Sequence, residues 1–90
     1  MNFEWDEAKR AKVAAERSID FLRLANLLFD GRPLLTMTSP RGEEQRFISV
    51  GAVENVFYAV IWTNRDDVTR LITARRARDG EIRQYRALHH

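Results

Sequence analysis

Cysteine is absent from the 90 residues, which excludes a disulfide framework and any thiolate metal site. The two histidines, His89 and His90, sit together at the C-terminus, where frayed residues gather, and no imidazoles are spaced to ligate zinc. A zinc enzyme is thereby excluded. Proline and glycine are scarce, at two and four residues, and no linker, repeat or low-complexity segment interrupts the chain. The longest apolar run, Val56 to Trp62, has seven residues, against about 20 for a bilayer span. Met1-Asn2-Phe3-Glu4-Trp5-Asp6 lacks the basic-then-apolar layout of a signal segment. The expectation is a soluble cytoplasmic protein with no membrane association. No GxSxG, P-loop or dinucleotide fingerprint occurs, and Glu43-Glu44 and Asp66-Asp67 are turn neighbours without further ligand spacing, so no metal or cofactor is expected.

What remains suits one domain over residues 1–90: 44% of the residues are hydrophobic, far above a disordered chain. A domain of this size buries only about 60 to 65% of its unfolded surface, so marginal stability or a stabilising partner is expected. Fifteen basic and thirteen acidic residues leave a net charge of +2, too little to indicate a nucleic-acid binder. Residues 46–90 carry the surplus, with eight basic and five acidic side chains. Lysine is limited to Lys9 and Lys12; the other thirteen bases are arginine, whose planar fork matches phosphate oxygens two at a time. A GC-rich coding sequence produces the same ratio, so the clustering of the arginines is the informative feature.

Asp6 precedes the helix formers Glu7 to Arg17 and is their N-cap, with a thin stripe of Ala8, Ala11, Val13 and Ala15. Ser18 or Asp20 caps a second helix, in which Phe21, Leu24, Ala25 and Leu28 recur at helical spacing until Asp30-Gly31 and Pro33 end it. The period then becomes extended: Leu34 to Thr38, a turn at Ser39-Pro40-Arg41-Gly42, the alternating Glu44 to Gly51, the run Val56 to Thr63 and the strand Val68 to Ala74. Apolar on both faces, the run Val56 to Thr63 reads as a central strand covered on both sides. Asp79-Gly80 opens a last helix bearing Ile82 and Tyr85. The predicted order is a short strand or arm, two N-terminal helices, a four-stranded antiparallel β-meander and a C-terminal helix, an α+β domain.

Arg70, Arg75, Arg76 and Arg78 lie within nine residues at the end of the sheet, a candidate phosphate cradle or a set of structural ion pairs with Glu44, Asp66 or Glu81. Pleating keeps Arg70 and Arg75 on opposite faces unless the strand bulges or ends before Arg75, and an end there is expected. Glu81 and Tyr85, at i and i+4, present a carboxylate and a phenol side by side. Their alternative is a solvated acid and a core tyrosine. Glu44 and Arg46 face one side of their strand, as surface groups or as a lateral ion pair. Phe57, Tyr58 and Trp62 read as core rather than as base-stacking groups.

Several motifs together resemble the BrnT toxins of bacterial toxin–antitoxin pairs. They are Phe3-Glu4-Trp5-Asp6-x-x-Lys9, Ile19-x-Phe21-x-x-Ala25, Glu44-x-Arg46 leading to Gly51, and Arg70-x-Ile72-Thr73-Ala74-Arg75-Arg76-Ala77 followed by Glu81 and Tyr85. The resemblance implies a RelE-like fold and a metal-independent endoribonuclease in which the RNA 2′-hydroxyl attacks its own phosphate, arresting translation. It also implies neutralisation by a small BrnA-like antitoxin, with operator DNA bound only through that complex. On this reading Arg70, Arg75 and Arg76 stabilise phosphate charge, and Tyr85 or Glu81 transfers protons, with Glu44 as an alternative base. Arg46 and Arg78 add RNA contacts. One element departs: where the family usually has Asn-x-x-Lys-His-Gly, this chain has Val13-Ala14-Ala15-Glu16-Arg17-Ser18. That departure sets the alternative, a catalytically impaired module that pairs with an antitoxin and co-represses its operon. A plain adaptor domain is a third reading, without a tight antitoxin complex.

Overall fold

The computed structural model describes residues 2–41 and 44–90. Strand β1 (Phe3–Glu4) leads into helices α1 (Glu7–Arg17) and α2 (Phe21–Leu28). Strands β2 (Leu35–Arg41), β3 (Glu44–Val53), β4 (Val56–Arg65) and β5 (Val68–Arg76) follow, and helix α3 (Asp79–Leu88) ends the chain. The sheet has five strands in the order β1-β5-β4-β3-β2. The antiparallel meander is present, but the short N-terminal strand completes it as a fifth, parallel member, with Phe3 opposite Thr69 and Glu4 opposite Arg70.

Asp6 caps α1 by accepting from the Ala8 and Lys9 amides, and Asp20 caps α2 by accepting from the Leu22 and Arg23 amides. Ser18, the other candidate cap, instead ends α1 in the left-handed region at φ 57°. Helix α2 buries Phe21, Leu24, Ala25 and Leu28, the set its periodicity indicates. In α1 only Val13 is buried; Ala8, Ala11 and Ala15 are exposed, because the helix lies along the flank of the sheet over β5. Both helices cover one face, where their apolar residues join Val60, Leu71 and Ala74 in the core.

Strand β2 continues through Ser39, Pro40 and Arg41, so these three residues are extended rather than the turn expected of them; the fourth, Gly42, lies outside the described residues. Glu54 and Asn55, both at positive φ, make the two-residue connection between β3 and β4. Gly51 lets α2 approach the sheet: a Cβ there would meet Leu34 Cδ2 at 2.8 Å and Leu28 Cδ2 at 2.9 Å. Central strand β4 is covered by the helices on one face only. On the other, α3 covers one end, through Tyr85 packed edge-on against Phe57 at 5.1 Å, and no helix among the described residues covers the rest.

Trp62 lies on the helical side, stacked on Phe47 at 4.6 Å, and its indole nitrogen donates to Ser49 Oγ at 2.8 Å. Thr36 Oγ1 contacts the same hydroxyl at 2.8 Å, so buried Ser49 is satisfied.

The expected end of the last strand before Arg75 does not occur: β5 runs to Arg76. Its register against β4 slips instead, with Ile61 opposite Thr73 but Trp62 opposite Leu71. Ile72 is the extra residue of a β-bulge, and the inserted residue reverses the alternation. Arg70, opposite Thr63, and Arg75, opposite Ala59, therefore share the face away from α1 and α2.

Candidate functional site

Cross-strand register brings Arg46, Ile48, Ile61, Thr73 and Arg75 onto the open face. Ile48 and Ile61 contribute apolar surface to a pocket of about 290 Å³. Its charged lining consists of Arg17, Arg46, Arg75 and Arg78, joined by the hydroxyls of Ser39 and Thr73. Four guanidinium groups converge from three places: the end of α1, strand β3, and the junction between β5 and α3.

Each arginine is held differently. Arg75 makes a two-pronged ion pair with Glu81, Nη1 to Oε1 at 2.8 Å and Nη2 to Oε2 at 2.9 Å. The two side chains are only 20% and 12% exposed. The Arg78 amide donates to Glu81 Oε1 at 2.8 Å, which ties the start of α3 to the same carboxylate. The Arg75 hydrogen bonds hold the Glu81 carboxyl below its ordinary range against the opposing effect of burial, and raise Arg75 in turn. Arg17 reaches around the edge of β5 beyond the two residues paired by β1, donating to the Ala74 carbonyl at 2.8 Å and to Thr73 Oγ1 at 3.5 Å. Arg46 is different: among the described residues its buried Nε has no hydrogen-bond partner and no acid pairs with it.

Arg46 also lines a second pocket of about 230 Å³, whose other charged groups are Lys9, Arg65, Arg70, Asp6 and Glu44. Here Arg70 contacts Glu4 at 3.1 Å and Arg65 contacts Glu44 at 3.3 Å. Glu44 thus pairs across to β4 rather than along its own strand to Arg46.

Of the residues singled out in the sequence, Arg46, Arg75 and Arg78 meet in one pocket, with Glu81 behind Arg75. Arg70 and Glu44 line the adjoining one. Arg76 projects to the opposite face, its guanidinium 5.8 Å from the Tyr58 ring centre, because neighbours on a strand point oppositely. Tyr85 lies between Phe57 and His89, outside both pockets. The sequence reading missed Arg17, which entered only as a departure from a family motif. The contact joins residues 57 apart and no local pattern announces it.

Two capping carboxylates make the fold acid-sensitive. Asp20 is lowered to about 2 by its hydrogen bonds with Arg10, at 2.8 Å to each oxygen, and Glu81 is lowered by Arg75. A carboxylate lowered by folding contributes stability that is complete above its unfolded value, near 4, and is lost as pH falls through the folded value. Thermal denaturation should show a melting temperature that declines steadily from about pH 5 toward pH 2. In the Glu81→Gln variant the decline should be shallower.

A five-stranded sheet backed by two helices, with arginines gathered on its open face, defines a small α+β domain of mixed sheet topology. The chain belongs to the family described as ribonuclease toxin, BrnT, of type II toxin-antitoxin system, which it matches over residues 5–81. Membership implies an antitoxin protein as partner. No curated protein matches the sequence. Among the described residues, no helix is long and apolar enough to cross a membrane.

Proposed function

We propose that the arginine pocket on the open face is the cleavage site of a metal-independent endoribonuclease, with the scissile phosphate at Arg46. The observation that carries this reading is the convergence of four guanidinium groups, one of them, Arg46, buried at Nε and lacking an acid partner among the described residues. A buried polar group without a partner is costly, and an anionic ligand supplies the missing countercharge.

In the proposed reaction the 2′-oxygen forms a bond to phosphorus as the bond from phosphorus to the 5′-oxygen breaks. The products are a 2′,3′-cyclic phosphate and a 5′-hydroxyl end. Negative charge grows on the phosphoryl oxygens in between, and cations fixed in advance stabilise it without reorganising. Arg46 and Arg75 take that role, and Arg78 holds flanking phosphate. Glu81 positions Arg75; already committed to that ion pair, it is a poor proton carrier. Glu44, two residues from Arg46 on the same strand face, takes the 2′-proton, and water protonates the departing 5′-oxygen. Arg70 binds the strand beside the scissile position, while Arg76 and Tyr85 stay outside the chemistry.

Replacing Arg75 with Ala should lower cleavage of a labelled RNA by about 10²- to 10³-fold, the usual scale for one preorganised charge donor. Unchanged cleavage accompanied by a lower melting temperature would make Arg75 purely structural. The second reading, a binding module that has lost catalysis, is favoured by one observation: Glu81 is tied to Arg75 and Tyr85 is turned onto Phe57. It predicts tight antitoxin binding with no RNA cleavage.

A further inference from the structure

We infer that the open face carries two adjoining phosphate subsites that share Arg46, one closed by Arg17 and the other lined by Lys9, Arg65 and Arg70, so the site takes a strand with phosphates on both sides of Arg46. The inference rests on the ribonuclease reading and extends it to the substrate's reach and to Arg17. Three observations support it.

First, Arg46 is the side chain common to both pockets. Pockets separated by a single side chain correspond to neighbouring phosphates along one strand, whereas an isolated phosphate needs only one of them.

Second, each pocket keeps a positive surplus after its internal pairs are counted. The first holds Arg17, Arg46 and Arg78 besides the Arg75–Glu81 pair. The second holds Lys9, Arg46, Arg65 and Arg70 against Asp6, Glu44 and the Glu4 that pairs Arg70, so its surplus charge is the shared Arg46. Its carboxylate partners sit at the rim, where Glu4 and Glu44 are 42% and 39% exposed, and an incoming phosphate can take their place on Arg70 and Arg65.

Third, Arg17 reaches the pocket around the edge of β5. Strand β1 pairs β5 at Thr69 and Arg70 alone, leaving the edge at Ala74 available to the Arg17 guanidinium, which spends Nη1 there. Its Nη2 makes no hydrogen bond among the described residues, and the side chain lines the pocket. The carbonyl contact holds the arginine in place while leaving its Nη2 donors for a ligand.

The test is the salt dependence of binding to an uncleavable 2′-O-methyl oligouridine long enough to cross both pockets, followed by fluorescence anisotropy on antitoxin-free protein. For a single strand, the steepness of log K against log salt is about 0.7 for each phosphate the protein neutralises. Arg17→Ala and Arg70→Ala should each reduce the slope by about 0.7 and the double variant by about 1.4, while Arg17→Lys and Arg70→Lys retain the wild-type slope. An arginine that merely braces the fold would shift the melting temperature and leave the slope alone. The inference is overturned if either alanine variant binds with the wild-type slope, or if the double variant equals one of the singles, which means one shared phosphate. Binding of this probe with no cleavage of the unmethylated oligouridine of the same length leaves the two subsites standing and removes the nuclease reading; no binding by folded protein removes both.

Discussion

Arg46→Met is expected to lower RNA cleavage by about 10²- to 10³-fold and at the same time to raise thermal stability. The two effects have one cause. Among the described residues the buried Arg46 Nε has no hydrogen-bond partner, and no acid neutralises the guanidinium. Such a group costs about 1–3 kcal/mol, and methionine keeps much of the aliphatic reach while removing the polar atoms. A gain of about 1 kcal/mol corresponds to roughly 4–8 °C in the melting temperature of a domain this small. The same substitution removes the cation shared by both pockets. Cleavage kinetics and calorimetry on one preparation check both halves. A variant that is less stable and equally active would show Arg46 to be an ordinary structural arginine.

Phe21→Ala has the largest expected effect on the fold. Phe21 is fully buried at the first turn of α2, among the largest side chains that are completely enclosed. Truncating such a phenylalanine costs about 3–5 kcal/mol, the lost transfer energy plus the cavity left behind. A domain of this length has a total stability of only about 5–13 kcal/mol. The urea midpoint should therefore fall sharply, with partial unfolding at physiological temperature. Phe21 lines neither arginine pocket, so any cleavage that disappears should return when the variant is refolded by cooling. A midpoint within experimental error of wild type would mean that α2 does not anchor the sheet.

How legible the fold was depends on whether its causes are local. Asp20 as a cap and Phe21, Leu24, Ala25 and Leu28 as a stripe are local, and α2 follows them closely. Helix α1 shares the clear cap at Asp6, but its alanines carry too little side chain to say which way it faces. The two-residue strand Phe3–Glu4 has no period; pairing with β5 alone makes it a strand. A bulge was one of two alternatives for this strand, but nothing local placed it at Ile72. Leu71-Ile72-Thr73 alternates like any regular strand, and the slip arises only where β5 meets Ile61 and Trp62 of β4.

The site was legible in its chemistry and less so in its membership. The arginine cluster in and just after β5 pointed to the end of the sheet where the candidate pocket lies, and Arg75 and Arg78 line it. A run of adjacent arginines nevertheless cannot act together on a strand, and Arg76 falls on the helical face. The missing members came from distant parts of the chain. Arg46 is placed by the β3–β4 register and Arg17 by the path of α1 past the edge of β5. The Glu16-Arg17-Ser18 departure thus has a structural consequence: it supplies the pocket with a guanidinium at the end of α1.

The most direct test of the arginine-pocket account is the chemistry of the RNA ends produced by folded, antitoxin-free protein from a labelled single-stranded RNA in excess EDTA. The predicted result is site-selective cutting that leaves 2′,3′-cyclic phosphate and 5′-hydroxyl ends. Cutting that requires an added divalent cation, ends bearing a 5′-phosphate, or no cutting at all would contradict it.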